Sequence, residues 1–573
     1  MKKLTKYFKG YIKETVLGPL FKLFEASLEL IVPLVIAAII DVGIANGDRS
    51  YIVKSCGLLV LLGLVGLGFS LTAQYFAAKA SVGFVTQVKR GLYRHLESLS
   101  YADIDRLGTA TMITRMTTDS SRVQTGLNLT LRLLLRSPFV VFGAMIMAIS
   151  IDKSAGLSFG GVILALSLVV FGIMLITMPM YKRVQGGVDR ILNKTRENLS
   201  GVRVIRAFAM EDKEVKEFRR ENDILTSAQK RAGNVSALLN PMTYVIVNLG
   251  IIILIYSGAI KVDNGNLTQG QVIALYNYMS QILVELVKLA NLIVSISKAL
   301  ASASRIASVF DITSSQSYGK VTDVRRDSEY AVEFDNVSIS YNQSGENSLE
   351  GLSFKAKPGE TVGVIGGTGS GKTTLVNLIP RFYDATEGTV RIKGVDVKDY
   401  AKGALTKKIS IVPQRAVLFS GSIRDNMKWG NEGATDEEIN AALKIAQAED
   451  VVSGKGGLDA KVEAGGKNFS GGQRQRLTIA RALVGEPDIL ILDDSASALD
   501  YATDASLRTA IRGMEREQTV FIVSQRAASV MYADKIIVLE DGAAVGIGTH
   551  DELIKNCAVY KEIYDSQFKK EVS

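Results

Sequence analysis

The chain has only two cysteines among 573 residues, which leaves no disulfide framework to build on. Cys56 sits in an apolar run and Cys557 lies near the C-terminus, a pattern compatible with a reducing cytosol. The basic N-terminus MKKLTKYFKGYIK is not followed by a short apolar core with a small-residue cleavage site. It reads as a cytoplasmic amphipathic lead-in rather than a secretory signal. No basic run with interleaved aromatics is present, so the net charge of +9 does not point to nucleic acid. No short-period internal repeat appears, which excludes a solenoid. Several long stretches also lack charge. Residues 57–78, 155–180 and 232–260 contain no Asp, Glu, Lys or Arg.

Each of these stretches is long enough to cross a bilayer, which takes about 20 helical residues. Residues 265–284 form a fourth such stretch. Two shorter runs complete the set. Residues 137–151 extend backward through Arg132 and Arg136, and residues 30–40 begin near Val16, through Lys22, Glu25 and Glu29. The hydrophobic content of 47% suits a chain that is half membrane, with six crossings. The connections alternate in length. GIANGDRSYI, DKS and KVDN are short, whereas residues 79–136 and 181–231 are long and rich in Lys and Arg. Basic connections stay in the cytoplasm, so both termini and both long connections are expected there, in a multi-pass protein of the cytoplasmic membrane. The long connections carry helical patterns such as EDKEVKEFRREN, so the membrane helices are expected to continue into the cytosol.

Charges within a span are functional candidates by default. Lys22, Glu25, Glu29, Arg132, Arg136, Glu285 and Lys288 lie in the cytoplasmic extensions, pack as helix–helix ion pairs or line a substrate path, and sequence does not separate these. Met145, Met147, Met174, Met178, Met180 and Met242 either form an adaptable binding surface or fill space.

After about Phe310 the texture changes. The polar segment DITSSQSYGKVTDVRRDSE has no apolar period and reads as a linker. From Tyr330 onward, short β-branched runs alternate with helical stretches, which implies an α/β domain with a largely parallel sheet. The expected division is a transmembrane domain at 1–308, a linker at 309–329 and a nucleotide-binding domain at 330–573.

TVGVIGGTGSGKTT contains G-x-x-x-x-G-K-T from Gly366 to Thr373, between a strand-like and a helical run. That setting is the one a phosphate loop needs. Glycines let backbone N–H groups surround phosphates, and the helix N-terminus adds a favourable partial charge. The loop residues Gly366, Thr368, Gly369, Ser370, Gly371 and Thr374 form the cradle. Lys372 neutralises the terminal phosphates and the Thr373 hydroxyl binds magnesium. The strand-like LILD ends in Asp493, whose carboxylate reaches the magnesium shell. Between them, NFSGGQRQRLTIARAL offers Ser470, Gly471, Gly472 and Gln473 at a second helix N-terminus, a second phosphate-binding element. Two such elements far apart in one chain suggest a nucleotide sandwiched between two domains.

GGTGSGKT, IVPQ, FSGGQRQR, LILDD and SALD together resemble the nucleotide-binding domain of ABC transporters. The six spans, the two long connections and RVIRAFAMEDKEVKEF resemble the transmembrane domain of ABC exporters, so the resemblance covers nearly the whole chain. It implies a six-helix all-α transmembrane domain fused to an α/β P-loop ATPase that binds ATP and Mg2+. It also implies that Tyr341 stacks on adenine. Gln414 would sense the γ-phosphate, join Thr373 and Asp493 around magnesium and link to the membrane helices. Asp500 would close a dimer contact, and short coupling helices would lie at 101–107 and 207–213.

The sequence departs from the family pattern at three places. The family's general base is a glutamate directly after the strand aspartate, whereas this chain has Asp494, one methylene shorter. A base must come within hydrogen-bond reach of the water it activates. The family's switch histidine is replaced by Gln525 in TVFIVSQR, and the two histidines of the chain, His95 and His550, lie elsewhere. Glutamine hydrogen-bonds but carries no imidazolium charge. Before the signature, a Glu-Arg-Gly run is replaced by VEAGGKNF, in which Glu463 is a neighbour and not a match.

Binding residues kept and catalytic residues altered imply division of labour. The pattern is similar to the degenerate-site subunit of bacterial heterodimeric multidrug exporters. The expected partners are a second half-transporter with an intact catalytic Glu and His, an amphipathic small-molecule cargo and membrane lipid, with no nucleic acid. The competing readings are a homodimer with a working ATPase that exports lipid or peptide, and an ATP-gated protein that does not pump. No N-terminal protease domain of the peptide-exporter kind is expected. Six spans exclude a soluble ATPase acting on nucleic acid, and an importer subunit is disfavoured because importers usually divide the two domains between chains.

Overall fold

A computed structural model of the chain describes residues 2–323, 328–341, 347–514 and 517–568. The chain divides into two compact units. One comprises Met1–Glu97 and Thr109–Ile312, the other Ser98–Gly108 and Thr313–Ser573. Residues 324–327, within the polar linker segment, lie outside the described residues.

The first unit contains six helices long and apolar enough to cross a membrane: Ile12–Ile44, Arg49–Ser98, Thr109–Ile151, Lys153–Ser200, Glu211–Asp263 and Gln269–Val309. The 50-residue helix Arg49–Ser98 is about 75 Å long at the α-helical rise, against about 30 Å of hydrocarbon, so it runs well past the bilayer. The first helix carries Pro19 and Pro33 and finishes in a π-helical turn, Ile39–Ile44. Thr268 and Gln271 cap the sixth helix reciprocally. That span therefore starts at Gln269 and not at 265, because Gly265 turns the chain at φ +72°. The second short helix also differs from expectation. It is Val202–Ala207 rather than 207–213. Ala209 stands at φ +50° and breaks the chain there. Glu211, Asp212 and Glu214 then open a new helix, where acids favour the N-terminus.

Most of the charges in the spans are paired. Arg136 bonds Glu285 and Glu29, each at 2.5 Å, and Lys288 bonds Glu285 at 2.9 Å. Ser137 donates to the other Glu285 oxygen at 2.8 Å. Lys22 pairs with Glu25 and also reaches Ser70. These contacts follow the ion-pair reading of the sequence. Arg132 Nε is buried without a hydrogen-bond partner among the described residues. The apolar packing around the network includes Ala26, Phe159, Tyr278, Met279 and Ile282. Met145 and Met147 pack against this core, whereas Met178 and Met242 are exposed.

The second unit holds a six-stranded and a four-stranded sheet. Its strands are β1 (Val332–Ile339), β2 (Leu349–Ala356), β3 (Thr361–Gly366), β4 (Glu387–Ile392), β5 (Val395–Asp396), β6 (Ile409–Val412), β7 (Gly421–Ser422), β8 (Lys461–Val462), β9 (Ile489–Asp493), β10 (Thr519–Ser524), β11 (Lys535–Glu540) and β12 (Ala543–Gly548). The larger sheet has the order β12-β11-β3-β10-β9-β6, parallel except for the antiparallel edge strand β12. The run ILILD of β9 is buried at every position, as a central parallel strand requires. The four-stranded sheet β2-β1-β4-β5 is antiparallel, an element the sequence reading left out. β7 and β8 form a short separate ribbon.

The segment Ser98–Gly108 packs in this second unit. Ser100 and Asp103 cap the helix Tyr101–Leu107 reciprocally. Asp103 also accepts from the Ser315 N–H at 2.9 Å. The Tyr101 ring lies 4.5 Å from that of Phe382, and the Tyr383 hydroxyl donates to Asp105.

Candidate functional site

The parallel register brings three strand ends together. Ser524 of β10 pairs with Ile365 of β3, and Val523 of β10 pairs with Asp493 of β9. The residues that follow these strands therefore emerge at one carboxyl edge, where α/β sheets bind ligands. A cavity of about 790 Å³ lies there, lined by the phosphate loop, Gln414, Asp493, Asp494 and Gln525.

The glycines of the loop bring bare backbone to the cavity beside Lys372 and Thr373. Gly369 and Gly371 stand at φ +85° and +93°. A Cβ on Gly371 would come within 2.6 Å of the Ser348 carbonyl, and one on Gly366 within 2.2 Å of the Leu539 carbonyl. Neither position tolerates a side chain, and the bare N–H groups lead into the helix Lys372–Leu378. Lys372 is 8% exposed and its ammonium donates to the carbonyls of Gly366 and Gly367. Burial lowers its basicity, against the opposing pull of Asp494 and Asp493.

The Thr373 hydroxyl donates to Asp493 Oδ1 at 3.1 Å, so the two groups expected around magnesium touch. Asp493 is 3% exposed. Burial raises its carboxyl above the usual range and the charge of Asp494 adds to this, while Thr373 and Lys372 oppose it. A hard cation with oxygen ligands suits this pair, since it relieves both the burial cost and the carboxylate repulsion.

Asp494 stands at φ +47°, a left-handed conformation in which Asp is among the better-tolerated residues. Its N–H donates to the Val523 carbonyl at 2.9 Å. Its Oδ2 accepts from Gln414 Nε2 at 3.3 Å. Gln525 follows β10 and its backbone is held by Gln567 of the C-terminal helix Ala558–Phe568.

The other sequence-selected residues lie outside this cavity. Ser470 caps the helix Gly471–Val484 reciprocally with Gln473, at an exposed end, and neither these two nor Gly472 lines the cavity. Asp500 caps the helix Tyr501–Arg512 by accepting from the Thr503 N–H at 2.9 Å. Tyr341 packs edge-on to Tyr383 at 4.9 Å, and its hydroxyl donates to Thr374 at 3.2 Å. In VEAGGKNF, Gly465 and Gly466 stand at φ +75° and +66°, so this run is built for a left-handed turn.

Sequence reasoning missed several contributors, Asn347 and Ser348 before β2 among them. Asp541 and Gly542 line the cavity at the turn between β11 and β12, and the Asp-Gly pair there is a recognisable hairpin signal. Gln567 carries no such signal, because a lone glutamine on a C-terminal helix belongs to no motif.

Comparison with known proteins agrees with this construction. Residues 15–286 match the ABC transporter transmembrane region, and residues 349–497 match the family model described as ABC transporter. An uncharacterized ABC transporter ATP-binding protein of Mycobacterium tuberculosis is 34% identical over 98% of this chain and 97% of its own length. A Bacillus subtilis protein provisionally named a multidrug export ATP-binding/permease protein is 30% identical over 99% of both chains. Among solved structures, a bacterial Atm1-family ABC exporter with ATP bound shares the fold with a TM-score of 0.81, at 23% identity, over 98% of this chain and 100% of that one. This multi-pass chain therefore belongs to the ABC transporter family, as a half-transporter that joins one transmembrane region to one ATP-binding domain in the exporter-type fold.

Proposed function

We propose that this chain is the degenerate-site half of an asymmetric exporter pair. It binds ATP at its own phosphate loop, hydrolyses it slowly, and lends its signature helix to the competent site of a second half-transporter. The observation that carries the reading is a separation. Asp494 and Gln525, the two altered residues, line one cavity with Lys372, Thr373 and Asp493, whereas Ser470, Gly472 and Gln473 do not. A site assembled from two chains explains an intact signature kept beside an altered catalytic pair.

Lys372 and the loop N–H groups bind and orient the phosphates. Thr373 and Asp493 hold Mg2+, with Gln414 beside them. When bound, the ion neutralises phosphate charge and orients the phosphates for displacement. Asp494 occupies the place of the general base. Its shorter side chain holds water less well, and Gln414 already engages one of its oxygens. Gln525 offers a neutral hydrogen bond where the family pattern has an imidazole. The proposed domain limits are 1–308, 309–329 and 330–573, in the cytoplasmic membrane, with the ATP-binding domain and both termini cytoplasmic. The cargo is proposed to be an amphipathic small molecule moved outward, in keeping with the name of the Bacillus subtilis relative.

The test is a repaired site. Asp494→Glu with Gln525→His, in a complex whose partner site is disabled, is expected to raise turnover by about 100-fold, the scale of one positioned general base. No gain in that complex would remove the division-of-labour reading.

A further inference from the structure

We propose that a second cavity, in the membrane unit, binds a multiply charged soluble anion. The cavity is about 650 Å³ and is lined by Lys89, Arg122 and Lys298. These residues come from three different helices, Arg49–Ser98, Thr109–Ile151 and Gln269–Val309. The hydroxyls of Thr118, Ser121 and Ser295 stand among them. Among the described residues no carboxylate lines this cavity. Among the described residues, Lys89, Arg122 and Lys298 take part in none of the ion pairs formed by their neighbours. Asp119, the acid next to Thr118, is buried and engaged with Arg115 and Arg305. A cleft whose charges are cations alone, with Arg122 and Lys298 exposed and Lys89 half-buried, raises the local concentration of anions. Cations supply charge and hydroxyls supply short, adaptable donors, which together match phosphate, sulfonate or carboxylate oxygens.

Depth decides between a lipid headgroup and a soluble ligand. The uncharged run of the second span ends at Ala78, and Lys89 lies eleven residues further on. At the helical rise that is about 16 Å. Lys298 lies ten residues past Lys288, the last charge within the sixth span, or about 15 Å further. The headgroup layer adds only about 5–8 Å beyond the hydrocarbon on each side. Both cations therefore stand past the headgroups, and the anion arrives from water. The inference rests on the export reading only in taking this anion to be the charged end of a cargo.

The test uses the full chain purified in detergent, without nucleotide, and two dyes of similar skeleton and opposite charge. Fluorescence anisotropy titrations with carboxyfluorescein and with rhodamine 123 are compared in the parent chain and in Lys89→Gln/Arg122→Gln/Lys298→Gln. The anionic dye is expected to bind at least about tenfold tighter than the cationic dye, and to lose about tenfold in the triple variant. ATP binding stays unchanged, which reports an intact fold. Lys298→Glu, a single exposed change, is expected to narrow the preference between the dyes. Equal affinity for the two dyes, or an unaltered triple variant, overturns the site. Competition by nanodiscs of phosphatidylglycerol, but not of phosphatidylcholine, overturns the soluble assignment and gives the cavity to a lipid headgroup. Failure of the pair to accumulate carboxyfluorescein with ATP, while binding persists, counts against export and leaves the anion site standing.

Discussion

Gln567 holds the backbone on both sides of Arg526, directly after the switch position. Its Nε2 donates to the Gln525 carbonyl at 2.8 Å, and its Oε1 accepts from the Ala527 N–H at 2.8 Å. One side chain of the C-terminal helix thus fixes the turn that aims Gln525 at the nucleotide cavity. Each such bond contributes about 1 kcal/mol. Gln567→Ala is expected to speed amide exchange at Ala527 by about tenfold or more, the effect of losing one to two such bonds. Gln567→Glu keeps the acceptor for Ala527 and loses the donor to Gln525, so its exchange rate should fall between the two. Unchanged exchange in the alanine variant would show that the turn holds itself.

Asp493 predicts a pH dependence with a definite sign. Its carboxyl is raised in the folded state by burial and then by Asp494. The ionised form is the costly one, so the metal-free domain has this increment in full below the ordinary carboxylate value and loses it as the pH rises from there through the raised value. Magnesium needs the ionised form. Magnesium-dependent ATP affinity is therefore expected to weaken as the pH falls toward that value. Asp493→Asn removes the buried charge and keeps an acceptor for Thr373. It is expected to raise the metal-free melting temperature at neutral pH and to abolish the magnesium dependence. A lower melting temperature would mean that the Asp493 charge stabilises the empty site.

The network of Arg136 with Glu285 and Glu29 makes a third prediction. Removing one partner of a buried pair leaves a charge without compensation, which costs about 3–5 kcal/mol. Glu285→Ala is expected to cut the yield of folded protein sharply, and Arg136→Met with Glu285→Leu to recover most of it. Thermal unfolding in detergent checks both. A single variant as stable as the parent would mean that lipid or water already screens Arg136.

Much of this architecture was legible in the sequence. Uncharged runs gave the six spans, because hydrocarbon tolerates no unpaired charge. The phosphate loop and Asp493 were legible because glycines and a buried strand end have no substitutes there. The pairing of Arg136 with Glu285 was open, since sequence shows a charge in a span but not what it faces. The short helix Val202–Ala207 was misplaced because the break at Ala209 depends on a left-handed backbone that alanine does not announce. The antiparallel sheet was missed because the pairing of β1 with β4 joins segments some fifty residues apart, which no local pattern reports.

The most direct test of the central claim is ATP turnover by this chain alone in lipid, beside the chain co-expressed with a second half-transporter that has an intact Glu and His. Division of labour predicts negligible turnover alone and robust turnover in the pair. Robust turnover alone would contradict it. Asp494 and Gln525 would then be working residues of a homodimer.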